Sequence, residues 1–254
     1  NLIKTKKNLI PSFLNLENTG WTFIREKSIE IIFKFGIPCP KELPAHAHSD
    51  LLSFDVFKDG KPLIVSCGTS VYQNSKERNY ERSTSSHNSF QLGTFHPKEP
   101  KNISWIEPVE TWNSFRAARK ASPIKNDSGK DYQGNLWARG SHDGFAKCGA
   151  KYERTILIEK NKDKKIKLIL IEKIESKKKL AWRQFWHLAP QESQSLLDPL
   201  IYEMKKNYDI SLKWYDSWYS YGFGNRKPRK SLCISGVFTP GKKILRVELP
   251  IYYI

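Results

Sequence analysis

Along most of the chain, apolar and polar residues alternate with the two-residue period of a strand that buries one face. Ile29, Ile31 and Phe33 alternate with Glu30 and Lys34. Leu52-Ser53-Phe54-Asp55-Val56-Phe57 repeats the pattern, and Leu63-Ile64-Val65-Ser66-Cys67-Gly68 returns after Lys58-Asp59-Gly60-Lys61. The Asp59-Gly60 pair suits the positive φ of a tight hairpin turn. Shorter strands are expected at 103–106 and 112–116, and clearer ones at 154–158 and 166–171 around the Lys-rich turn 160–165. Trp182 to Leu188 is a further candidate strand, stopped by Pro190, and alternation resumes from Ile201 to Tyr253. The polar stretch from Pro123 to Gly134 reads as a loop, and the helix-like windows, 191–196 and the N-terminal segment, are short.

Many short strands divided by Gly, Pro and Asn turns predict an all-β protein: a large antiparallel β-sandwich of two or more packed sheets with few short helices. No fixed-period repeat is visible. Residues 1–16 mix Lys, Asn and short apolar patches around Pro11 and read as a linker or the tail of a preceding domain. Residues 17–254 then form the β-sandwich domain. Because the first residue is Asn1, the chain reads as a piece of something longer, and the missing export leader says nothing about export.

Composition narrows the partners. With 39% hydrophobic residues and eight Trp the chain can bury a substantial core, yet no apolar run approaches the roughly 20 residues of a membrane span. Lys and Arg number 43 against 26 Asp and Glu, a net charge of +17 that attracts polyanions: nucleic acid, anionic lipid or acidic polysaccharide. Part of that charge, as at Lys177-Lys178-Lys179, suits solvated turns. No helix-turn-helix or RNA-reading pattern is present, so nucleic-acid binding rests on charge alone and ranks last. Four cysteines stand far apart without CxxC spacing and could form two disulfides or none.

Half of the six histidines fall between Pro44 and Phe90. On an extended chain His46 and His48, two apart, would project from one face, and His87 could return beside them. Three such groups suit zinc or a similar ion with one position left for a carboxylate or water. The plain alternative is polar residues at a loop edge. His187, between Trp186 and Leu188, reads as a hydrogen-bonded core residue, His142 as part of a turn, and His96 as exposed.

The run His46-Ala47-His48-Ser49-Asp50-Leu51-Leu52-Ser53-Phe54 resembles the opening signature of the C-terminal β-domain of heparinase II/III-like polysaccharide lyases. Gly60-Lys61-Pro62-Leu63, then Arg78-Asn79-Tyr80-Glu81-Arg82-Ser83-Thr84 and His87-Asn88 follow in the family's order. Weaker echoes lie at Trp112-Asn113-Ser114-Phe115-Arg116, His142-Asp143-Gly144-Phe145 and Phe185-Trp186-His187-Leu188-Ala189-Pro190. The resemblance implies a bacterial, periplasmic or secreted enzyme acting on acidic polysaccharide, with His46 at the catalytic cleft. It also implies zinc or another divalent cation on His48, Ser66 and His87. At Ser66 the family has Asp; a hydroxyl for a carboxylate removes a charge and a hard oxygen ligand and weakens the site.

In such an enzyme a uronic acid polymer is cleaved by β-elimination, which needs a base within hydrogen-bond reach and neutralisation of the sugar carboxylate. His46 is the candidate base, since neutral imidazole is available near pH 7. Tyr80 is the candidate phenol acid, with Tyr72 beside it. Arg78, Arg82 and Arg116 are candidates to grip acidic groups through paired hydrogen bonds. The resemblance further implies an upstream helical toroid domain that completes the active site, so this segment alone is expected to be inactive. The competing reading is a scaffold or binding module of the same fold that holds acidic glycan without cleaving it.

Overall fold

The computed structural model describes residues 11–160 and 165–252; most of the expected linker and of the Lys-rich turn lies outside them. The first sheet is a meander of β1 (Phe13–Leu16), β2 (Trp21–Glu26), β3 (Ile29–Lys34), β4 (Phe54–Lys58) and β5 (Lys61–Ile64). Residues 13–16 are therefore sheet rather than linker: Phe13 lies opposite Ile24 and packs on the core. Asp59 and Gly60 have φ of 51° and 72°, the mirror turn expected between β4 and β5.

The chain then forms a helix that the pattern did not reveal, α1 (Lys76–Arg82), capped by the Ser75 hydroxyl, which accepts from the Arg78 amide. Its buried face is Arg78, Glu81 and Arg82, so hydrophobic periodicity had nothing to report. Next come β6 (Phe90–Phe95), β7 (Ile103–Trp105) and the two-stranded ribbon of β8 (Val109–Trp112) and β9 (Arg116–Lys120). The expected strand at 112–116 is thus the tip of that ribbon, with Asn113 at φ 43°.

A second sheet orders β10 (Pro123–Lys130), β11 (Leu136–His142), β12 (Ala150–Lys160), β13 (Lys165–Ser176) and β17 (Gly241–Tyr252). The stretch from 123 to 130, expected as loop, is a polar edge strand paired only with β11; its largely exposed side chains leave no apolar alternation to read. The third sheet orders β15 (Ser211–Tyr219), β16 (Lys227–Phe238), β14 (Leu180–His187), β6 and β7, and α2 (Asp198–Asn207) packs beside β17. One continuous apolar core joins Ile31 and Phe33 of the first sheet, Ile156 and Leu170 of the second and Trp182 and Trp186 of the third. The four cysteines are free thiols.

A buried ion pair ties the layers together. Arg154 and Glu172 face each other across β12 and β13, both side chains fully buried, with an Nη2–Oε1 distance of 2.7 Å. Arg154 also donates to the carbonyls of Leu52 and Asn88, the residues just beyond the two histidine motifs. Tyr152 and Gln184 donate to Glu172. Asn88 continues the tie, donating to the Phe54 carbonyl and accepting from the His187 amide. Gln in place of Glu172 strands the guanidinium's charge, so Glu172→Gln is expected to lower the unfolding free energy by about 3–5 kcal/mol. A urea titration showing no loss would remove the pair from this role.

His142 and His187 are both buried and hydrogen-bonded, to the Gly144 amide and the Ser231 hydroxyl respectively. Burial lowers the pKa of His142 to about 4 and that of His187 well below its usual value. Below about pH 6.5 the unfolded chain therefore takes protons that the native rings refuse. Stability is expected to fall as pH drops from 6.5 toward 4, by up to about 1.4 kcal/mol per pH unit for each ring. Urea titrations at successive pH values should show this slope, and His142→Asn should flatten it.

Candidate active site

The segment from Pro44 to Asp50 is not an extended strand. Its β contact is one isolated bridge, Ala45 to Arg116, and His46 has a left-handed φ of 56°. The expectation that His46 and His48 share a face fails for that reason: the backbone turns between them, and the two rings enter different surroundings.

Helix α1 holds this segment. Arg82 is fully buried, and its five N–H groups meet five carbonyls: Ala47 through Nε, Trp112 and Asn113 through Nη1, Phe115 and Arg116 through Nη2. Its own carbonyl accepts from the Ser49 amide at 2.8 Å. Arg78, one turn earlier and 1% exposed, donates from Nε to the Ser114 carbonyl at 3.0 Å and from Nη1 to Nε2 of His48 at 3.3 Å. Both arginines were candidate substrate contacts, and neither reaches solvent; they position the site instead. Of the three, only Arg116 is exposed.

His48 Nδ1 lies 3.3 Å from His87 Nε2. A guanidinium only donates, so His48 Nε2 must accept from Arg78 and its proton sits on Nδ1. That proton points at His87 Nε2, while His87 Nδ1 donates to the Ser83 carbonyl at 2.9 Å. The result is one directed chain, Arg78 to His48 to His87 to Ser83. Burial, reinforced by His87, lowers the His48 pKa to about 3, and burial lowers that of His87 as well, so both rings are neutral.

The pair borders a cavity of about 190 Å³ lined also by Asp50, Asp55 and Ser66. Burial alone would raise the Asp50 pKa, but Lys34 Nζ at 2.6 Å holds it below the usual range. Burial raises the Asp55 pKa. Asp55 Oδ1 accepts from the Ser66 amide at 2.8 Å and the Ser66 hydroxyl at 2.9 Å. Ser66 is thus itself bonded to a carboxylate on the neighbouring strand.

A separate group surrounds His46. Its exposed ring stands edge-on to Tyr72 and Phe115, with centroids at 5.5 and 5.0 Å. Tyr72 in turn lies over the Arg78 guanidinium and 5.1 Å from Phe223. Tyr80 is not part of either group. Its ring packs on Trp218 at 4.8 Å, its hydroxyl is buried, and burial raises its pKa. Tyr72, 41% exposed, is the phenol beside His46. Sequence reasoning passed over Phe115 and Phe223; the available signal was an aromatic placed at a turn, as in Gly222-Phe223-Gly224-Asn225.

The trio therefore divides into a hydrogen-bonded pair, His87 buried and His48 half-buried, and one ring at the surface. For zinc, two imidazole nitrogens 3.3 Å apart match neighbouring vertices of a tetrahedral shell with bonds of about 2.0–2.1 Å. The third donor is missing: Ser66 is committed to Asp55, and among the described residues no group of three His, Cys, Asp or Glu side chains is placed to hold an ion. The residues present do not complete the shell.

Comparison with known proteins bears on the fold and the family. The sequence family described as Heparinase II/III-like, C-terminal, matches residues 11–245. Among solved structures, heparan sulfate lyase HepC from Pedobacter heparinus superposes with a TM-score of 0.66 at 14% identity, over 98% of this chain and 38% of that one. A structure titled Heparinase III gives 0.60 at 12% identity, over 93% and 36%. At such identities the likeness shows the fold alone, and the chain spans little more than a third of those proteins. Nothing matches among curated protein sequences.

Placing a carboxylate at position 66 tests the convergence of 48, 66 and 87. Ser66→Asp is expected to raise zinc affinity about tenfold or more in chelator competition. An unchanged affinity would show that the three positions do not face one ion.

Proposed function

The chain belongs to the heparinase II/III-like C-terminal family, and from that premise we propose that it is the β-domain of a polysaccharide lyase cleaving uronic acid-containing polymers by β-elimination. The observation that carries this reading is the placement of His46. It is the one member of the histidine trio left at the surface, on a backbone that Arg82 fixes from below, with a phenol and an exposed arginine nearby.

In the proposed reaction the His46 imidazole takes the proton on the carbon bearing the uronate carboxylate. The electrons form a double bond to the adjacent carbon as the glycosidic C–O bond breaks, and the departing oxygen gains a proton. Tyr72 is the proton donor on this chain closest to that role. Arg116 faces the sugar carboxylate and favours the charge that builds as the proton leaves. His48 and His87 touch no reacting atom; they fix the floor of the site, and no step runs through an ion.

The relatives' greater length supports a missing half. An upstream helical toroid domain would close the cleft over His46, and this segment alone would be inactive. Export to the periplasm or beyond would suit a polymeric substrate; no helix among the described residues is long and apolar enough to cross a membrane. The Ser66 replacement favours one other reading, a glycan-binding module that has lost its chemistry.

The two are separated by assaying the protein with its upstream region on a panel of uronic acid polymers, following the ultraviolet absorbance of the unsaturated product. A lyase should release it, and His46→Ala should lower kcat by about 10²–10⁴-fold without altering the unfolding midpoint. Unchanged turnover in that variant, or full activity of the chain alone, would refute the assignment as stated.

A further inference from the structure

Three separate loops each bring an aromatic side chain to one exposed spot beside His46. Tyr72 comes from the segment before α1, Phe115 from the tip of the β8–β9 ribbon and Phe223 from the turn between β15 and β16. They are 41%, 36% and 64% exposed, yet their rings are in contact: Tyr72 lies 5.2 Å from Phe115 and 5.1 Å from Phe223. Exposed apolar groups scattered singly need no explanation, whereas a contiguous set marks a surface that something covers.

The set is also held rigidly from beneath. The Arg78 guanidinium backs the Tyr72 ring at 5.2 Å, and Arg82 grips the Phe115 carbonyl. The Phe223 turn is tied down through the Gly224 amide, which donates to the Ser70 carbonyl at 2.8 Å. Rings that are fixed before a ligand arrives lose little freedom when it binds.

We propose that Tyr72, Phe115 and Phe223 form a stacking platform for the pyranose rings of an acidic polysaccharide, immediately beside His46. This rests on the lyase reading of that histidine. A sugar ring offers an apolar C–H face to an aromatic surface and keeps its hydroxyls outward, which suits rings exposed at one face and backed by protein at the other. The rim is cationic: Arg116 is exposed next to Phe115, and Lys227, also exposed, lies with Nζ 4.9 Å from the Tyr221 ring just past the Phe223 turn. That cationic rim favours an acidic sugar polymer as occupant over the apolar face of another protein.

The test titrates this chain with a hexasaccharide of alternating glucuronic acid and N-acetylglucosamine, using calorimetry and ligand-detected NMR. Phe223→Ala and Tyr72→Ala are expected to weaken binding about tenfold or more, Phe223→Trp to preserve it, and none to move the unfolding midpoint. Polyphosphate binding, a control for charge alone, should be unaffected by all three. Hexasaccharide affinity unchanged in the alanine variants overturns the platform. So does failure of the unmutated chain to bind at about 1 mM, or loss of self-association in Phe223→Ala, which would make the patch a protein contact. If the platform binds while the longer protein never cleaves, the lyase reading falls and the platform stands; cleavage that ignores Phe223→Ala gives the reverse.

Discussion

Five carbonyl oxygens converging on one buried guanidinium hold the candidate site together. Arg82 satisfies every one of its N–H groups, and the partners come from two segments that have almost no other backbone pairing with each other. Burial lowers its pKa to about 10, which leaves it charged at neutral pH. Hydrogen bonds from a charged donor contribute about 1.5–3 kcal/mol each, and a buried donor left without a partner costs a similar amount. Lysine has three donors on a point charge and cannot reproduce a planar five-way fit. The left-handed turn at His46 persists because Ala47, next to it, is pinned on one side by Arg82 and Ser49 by its carbonyl.

Two arginines one helical turn apart thus divide the work. Arg82 fixes the backbone that carries the histidines, and Arg78 sets the tautomer of one of them. The pair at 48 and 87 is then a rigid, uncharged floor, with His46 displaced outward to where a substrate can meet it. Arg154 and Glu172 extend the same logic into the core, tying the carbonyls of Leu52 and Asn88 to the second sheet. Charge inside this domain serves geometry first.

That use of charge also explains what could be read from the sequence. Strands buried on one face announce themselves by alternation, so β3, the β4–β5 pair and its Asp59-Gly60 turn were legible, as was the all-β architecture. Helix α1 was not, because its inward face is Arg78, Glu81 and Arg82 and looks like a solvated surface. The same ambiguity made buried arginines look like substrate contacts. Tyr80 and Tyr72 are indistinguishable by type, and only packing puts one against Trp218 and the other beside His46. Positive φ at a histidine has no local signature, so spacing two by itself points to one face of a strand.

Above the backbone that Arg82 fixes, the floor of the site is set by the directed chain from Arg78 through His48 and His87 to the Ser83 carbonyl. Long-range proton–nitrogen NMR of the histidine rings at neutral pH tests it directly. Both His48 and His87 should carry their single proton on Nδ1, with unprotonated Nε2. A proton on Nε2 of His48, or a doubly protonated ring at either position, would contradict it.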